Sequence, residues 1–170
     1  MQMSSQKISI LSMMVLLAVW AFSHSSVASE LHWTVTQHRY EGLPLFTRYP
    51  VIPDYDKLRA GLPIRVTVSL TLSNVTTDGL PEAAYNRSLE PLDNFIVEYF
   101  EDRGQGQCVL VETFNGNRYF YVYIAESANL DGFKSALAAT FPGNEIEVSI
   151  VKDLGWSFIK RYAAEYLVAH

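Results

Sequence analysis

Apolar and polar side chains alternate along residues 33–40, with Trp33 and Val35 set against Thr34, Thr36 and His38, the period-two signature of a strand. Glu41-Gly42 then supplies a two-residue turn and residues 43–49 run back, so a β-hairpin is predicted, ended by Pro50 and Pro53. The cleanest strand is 64–72, where Val66, Val68, Leu70 and Leu72 face one way and Arg65, Thr67, Ser69 and Thr71 the other. A turn around Asp78-Gly79 and Pro81 leads to a helix that Ser88 would cap, with Pro91 tolerated in its first turn. Leu89, Leu92, Phe95, Ile96, Tyr99 and Phe100 recur at helical spacing, and Gly104 stops the run.

Two further strands are predicted over 107–114 and 118–124, joined across Asn115-Gly116-Asn117. Ser127 or Asn129 caps a second helix that carries Leu130, Phe133, Leu137 and Phe141 on one face, and Pro142-Gly143 closes it. Residues 145–151 alternate again, with Ile146, Val148 and Ile150 inward. Asp153 then caps a last helix whose Trp156, Ile159, Ala163 and Leu167 share a side.

Without the first hairpin and the last helix, the order is β-α-β-β-α-β. That is the pattern of an α+β, ferredoxin-like sandwich, with both helices on one face of a four-stranded antiparallel sheet. The strand at 107–114 is expected on one edge beside 118–124, and 145–151 on the other edge. The added hairpin and the added helix would extend the sheet or cover its open face.

Residues 1–29 change the picture of where this domain works. Lys7 is the only charge there, an uninterrupted run of 15 weakly polar to apolar residues follows at 8–22, and a small polar tail ends at Ser29. This is the form of a secretory signal peptide, with cleavage after Ala28 or Ser29. A retained anchor is the alternative, but a spanning helix needs about 20 apolar residues. The expectation is therefore a single domain over 30–170, exported to the periplasm or secreted, with no membrane attachment after cleavage.

Composition supports one ordinary core, with 49% hydrophobic and 13% aromatic residues in 170. A net charge of −5 argues against a nucleic-acid partner, since dedicated binders carry a basic excess. Cys108 is the single cysteine, so no intramolecular disulfide can form, and it reads as a small hydrophobe in a strand. Asn74-Val75-Thr76 and Asn86-Arg87-Ser88 match the glycosylation sequon but read as turn and helix-approach residues.

The run Pro63-Ile64-Arg65-Val66-Thr67-Val68, the Asp78-Gly79-Leu80-Pro81 turn, residues 113–123 (TFNGNRYFYVY) and the closing Asp153-Leu154-Gly155-Trp156 together resemble the bacterial family called domain of unknown function 695. The resemblance spans about residues 31–167. It implies no activity, cofactor or catalytic residue.

Candidate chemistry is sparse. Tyr119, Tyr121 and Tyr123 alternate along one strand beside Arg118, a pattern similar to the aromatic platform of RNA-recognition sheets; acidic charge and export favour tyrosines covered by an added element instead. Arg118, Tyr119, Tyr121 and Tyr123 are the candidate binding residues. His32 and His38, six residues apart on an extended strand, would lie about 20 Å apart and cannot share a metal, so neither a metal nor a cofactor is expected. Gly-x-Ser-x-Gly, phosphate-loop and His-Glu-x-x-His motifs are absent from the sequence, and no catalytic residue is assigned. Arg48, Arg65, Glu112, Arg118 and Asp153 are the plausible polar-site members. The preferred reading is a non-catalytic binding or interaction module with a protein or small-molecule partner. The alternatives are an enzyme with an acid–base site of Arg118, Asp153 and a tyrosine, and a self-associating structural protein.

Overall fold

The computed structural model describes residues 32–167; the leader expected over 1–29, its expected cleavage point and His170 lie outside them. The chain opens with the hairpin, β1 at Trp33–Tyr40 and β2 at Leu43–Pro50. Its turn residues Glu41 and Gly42 both take positive φ, 50° and 81°, which matches the turn to the strand twist. A short helix follows, α1 at Tyr55–Gly61, started by the Asp54 carboxylate accepting the Lys57 N–H at 2.9 Å. No residue of α1 is fully buried, though Leu58 is half-buried and the Tyr55 ring meets that of Trp156 edge-on with centroids 6.0 Å apart; a helix of seven residues is too short to show a clear helical period in the sequence.

Next come β3 at Ile64–Thr71, then α2 at Ala83–Ser88 and α3 at Glu90–Glu98. The helix expected to start at Ser88 thus begins five residues earlier and is broken. Ser88 is no N-cap; it ends α2, its hydroxyl donating back to the Tyr85 carbonyl at 2.7 Å. Pro91 accounts for the break, because it has no N–H to give the preceding turn. The strands β4 at Gly106–Phe114 and β5 at Asn117–Ile124 form the second hairpin, with Asn115 and Gly116 at φ 44° and 78°. Asn129 caps α4 at Leu130–Thr140, accepting the Gly132 N–H at 2.9 Å. After β6 at Ile146–Lys152, α5 at Ser157–Tyr162 runs into a π-helical turn, Ala163–Leu167.

All pairings are antiparallel, and one six-stranded sheet results, in the order β1-β2-β4-β5-β3-β6. The protein is α+β, but its sheet is larger than a simple ferredoxin-like one. The strand at 107–114 is not at an edge: β2 pairs with it through Leu45–Phe114 and Arg48–Val111, so β1 is the edge. At the other edge, β6 is where it was expected. Ile150 is exposed rather than inward, as are its neighbours Ser149, Val151 and Lys152 in the C-terminal half of this edge strand.

Each face of the sheet has its own core. Val66, Val68, Leu70, Phe120 and Val122 pack under α3 and α4, which supply Leu92, Ile96, Phe133 and Leu137. Tyr123 and Leu110 on the opposite face pack under α5, which adds Ile159 and Tyr162, with Trp156 just before it. A bulge in β4 breaks the alternation: Cys108 pairs with Val122 but Leu110 with Tyr121, so Val109 and Leu110 both face α5. Cys108 is fully buried on the α3 side, where desolvation pushes its thiol up to about 12, so it is packing material and no nucleophile.

Candidate functional site

Hairpin extension gives the sheet more width than α3 covers, and a polar cluster fills the resulting step. Strand register sets four positions on one face: Arg48 opposite Val111, and Thr113 opposite Arg118. Helix α3 brings Asp93 down onto them. Asp93 falls between Leu92 and Ile96 in the buried stripe of α3, so its carboxylate must find cations there. Arg118 donates to both of its oxygens, from Nη1 to Oδ1 at 3.0 Å and to Oδ2 at 2.8 Å, and Arg48 Nη2 donates to Oδ2 at 2.6 Å. Arg118 is further fixed by Nε donating to Thr113 Oγ1 at 3.1 Å and Nη2 donating to Asn86 Oδ1 at 2.5 Å. The two arginines differ in exposure: the Arg118 side chain is 8% exposed and that of Arg48 37%.

A cleft of about 530 Å³ opens beside this cluster. Phe46, Arg48, Val111 and Thr113 line it from the sheet, and Arg87, Glu90 and Asn94 from α2 and α3. Leu80 and Pro81 line it from the loop before α2. Their loop is anchored by Gly79, whose carbonyl accepts the Gly116 N–H at 2.8 Å. Gly79 has φ +74°, and a Cβ there would stand 2.8 Å from the Asn115 Cα, so only glycine lets the loop sit against the β4–β5 turn.

The tyrosines expected to share a site with Arg118 are on the other face. Tyr123 is buried, stacked on Trp156 with centroids 4.2 Å apart, and its hydroxyl donates to Asp153 Oδ2 at 2.7 Å. Tyr121 packs on Phe158 at 4.6 Å, while Tyr119 stays half-buried beside Tyr121. The last helix therefore covers the tyrosine face over Tyr121 and Tyr123. Arg65 lies under the same helix, its guanidinium 4.3 Å from the Phe158 ring. Arg118 and Asp153 are on opposite faces of the sheet, which removes the acid–base site that would have joined them with a tyrosine. What sequence reasoning missed is Asp93, whose signal was an acidic residue inside an apolar helical stripe.

Asp153 is a cap with measurable consequences. Burial pushes its carboxyl up, but donors from the Ser157 hydroxyl, the Tyr123 hydroxyl and the Ser157 and Phe158 N–H groups outweigh it and hold it at about 2, below the ordinary 3.8. A depressed carboxylate stabilises the fold above its unfolded pKa, and that contribution disappears as pH falls from about 4 to about 2. Glu112, raised by burial and receiving the Tyr162 hydroxyl at 2.5 Å, acts oppositely, its share being lost as pH rises through its elevated pKa. Urea unfolding across pH 2–6 is expected to show a steep acid limb in the wild type and a flatter one in Asp153→Asn.

Among the described residues no group of three His, Cys, Asp or Glu side chains is placed to hold a metal ion. His38 is half-buried, with Nε2 at 3.2 Å from Thr36 Oγ1, and His32 is exposed. Compared with known families, the chain matches over residues 32–162 the model described as a family of unknown function, DUF695. No curated protein and no solved structure matches it.

Proposed function

The chain belongs to the DUF695 family, and from that premise we propose a non-catalytic binding module, exported from the cytoplasm, with its ligand site in the cleft beside Asp93. One observation carries the reading: a buried carboxylate orients two guanidinium groups at the uncovered step of the sheet, and only one of them is needed to satisfy it. A few convergent polar groups set among apolar walls, here Phe46, Leu80 and Val111, on a concave surface of this size are the usual make-up of a small-molecule site. Within the sheet, the neighbour order β4-β5-β3-β6 supports reading β3 to β6, with α3 and α4, as a ferredoxin-like unit to which the hairpin was added.

Amide NMR during titration with a panel of small polar molecules tests the placement. Shifts are expected to cluster at Arg48, Asn86, Asn94 and Thr113, with no turnover in a hydrolase panel. Shifts gathered around Tyr119 instead, or turnover abolished by an Arg118 substitution that leaves the fold intact, would contradict the reading. Export rests on the Lys7 charge and the apolar run over 8–22. Its test is the N-terminal residue of the protein recovered outside the cytoplasm, expected to be Ser29 or Glu30; recovery only inside, starting at the first methionine, would refute it.

Self-association is a second reading, favoured by the β6 edge, where Ile150 and Val151 are 44% and 46% exposed. Light scattering decides it: a dimer dissociated by Val151→Lys supports it, and a monomer at high concentration opposes it.

A further inference from the structure

We infer that the cleft recognises an oxyanion, a carboxylate or phosphate group on a small molecule, through Arg48 and Arg87. The inference rests on the cleft being the ligand site and adds the chemistry of what enters it. Asp93 can be neutralised by Arg118 alone, which takes both carboxylate oxygens and is held on its remaining sides by Thr113 and Asn86. Arg48 shares only Oδ2, through Nη2, so the cluster of one carboxylate and two guanidiniums carries one surplus positive charge. That charge is on the more exposed member, which lines the cleft. The guanidinium of Arg48 lies 5.8 Å from the Trp33 ring, a second restraint on its direction.

Arg87 adds a second planar donor from the last turn of α2, exposed and on the cleft wall. Guanidinium groups bind carboxylate and phosphate through paired, charge-assisted hydrogen bonds, stronger than neutral ones. The lining is not uniformly basic, because Glu90 also faces the cleft, and the whole chain carries −5. A polyanion would meet repulsion from both, whereas one oxyanion on a compact molecule needs only the local charge. At about 530 Å³, the cleft suits such a molecule.

The test compares acetate, acetamide, ethylammonium and inorganic phosphate at constant ionic strength, read by amide NMR on the protein and on the Arg48→Gln and Arg87→Gln variants. Acetate, phosphate or both are expected to shift cleft resonances saturably. Each variant should weaken that binding about tenfold, the value of one charge-assisted contact at about 1.4 kcal/mol. Which of the two anions binds tighter identifies the source of the oxyanion. Saturation by acetamide or ethylammonium as tight as by acetate and phosphate, or oxyanion binding unchanged in both variants, overturns the inference while leaving the cleft as a site. Silence of the cleft resonances to every probe removes the site as well.

Discussion

Replacing Asp93 by alanine is expected to lower the unfolding free energy by about 3–5 kcal/mol, read as a lower urea midpoint. The loss comes from what remains. Arg48 can turn toward water, but Arg118 is 8% exposed and would keep its charge against the neutral side chains of Thr113 and Asn86. An uncompensated buried charge is far more damaging than the intact pair is helpful. Asp93→Leu combined with Arg118→Met should therefore recover most of the stability, because the pair is replaced by apolar volume and nothing is orphaned. A single-site loss below about 1 kcal/mol would mean that Arg118 is solvated and the cluster is an ordinary surface ion pair.

Trp156→Ala has the other large expected effect, about 3–5 kcal/mol in the same measurement. Trp156 is 1% exposed and stacks on Tyr123, and its Nε1 donates to the Leu62 carbonyl at 2.8 Å. Truncation leaves a cavity between α5 and the sheet and an unsatisfied carbonyl. Trp156→Phe keeps most of the ring contact and should lose less, about 1–3 kcal/mol for the missing hydrogen bond. Because α5 covers the tyrosine face through this residue, the alanine variant should also bind a hydrophobic dye more strongly. Unchanged stability with unchanged dye binding would show that the last helix does not depend on this anchor.

Local chemistry was legible wherever one residue type dictates the backbone. Glu41-Gly42 and Asn115-Gly116 marked both hairpins because their turns need positive φ. Asn129 marked the start of α4 because its side chain can satisfy an open N–H, and Asp153 does the same service for the last helix. Alternation in β3 and β5 assigned the two sheet faces, and applied strictly it already separates Arg118 from Tyr119, Tyr121 and Tyr123. It says nothing about which strand is a neighbour. The docking of β2 onto β4, which turns an expected edge into the middle of the sheet, depends on long-range pairing that no period encodes.

The same limit hid the site. Arg48, Asp93 and Arg118 are 45 and 25 residues apart in sequence and meet only through that docking. Arg48 and Arg118 stood out as candidate polar-site residues but with nothing to join them; Asp93, which joins them, left its trace as a charge inside the stripe of Leu89, Leu92 and Ile96. Ser88 misled because a good capping residue also ends a helix comfortably when Pro91 interrupts the next turn.

The division of roles between the two arginines, one holding the fold and one facing the cleft, is tested most directly by comparing urea unfolding of Arg48→Gln and Arg118→Gln. Arg48→Gln should stay within about 1 kcal/mol of the wild type, as for an exposed pair. Arg118→Gln should lose more, about 2–3 kcal/mol, since Asp93 keeps the Arg48 contact at Oδ2 but loses the charge-assisted contacts that Arg118 Nη1 makes to both of its oxygens. Equal losses from the two substitutions would contradict the assignment, because Arg48 would then be part of the scaffold and not a group held ready for a ligand.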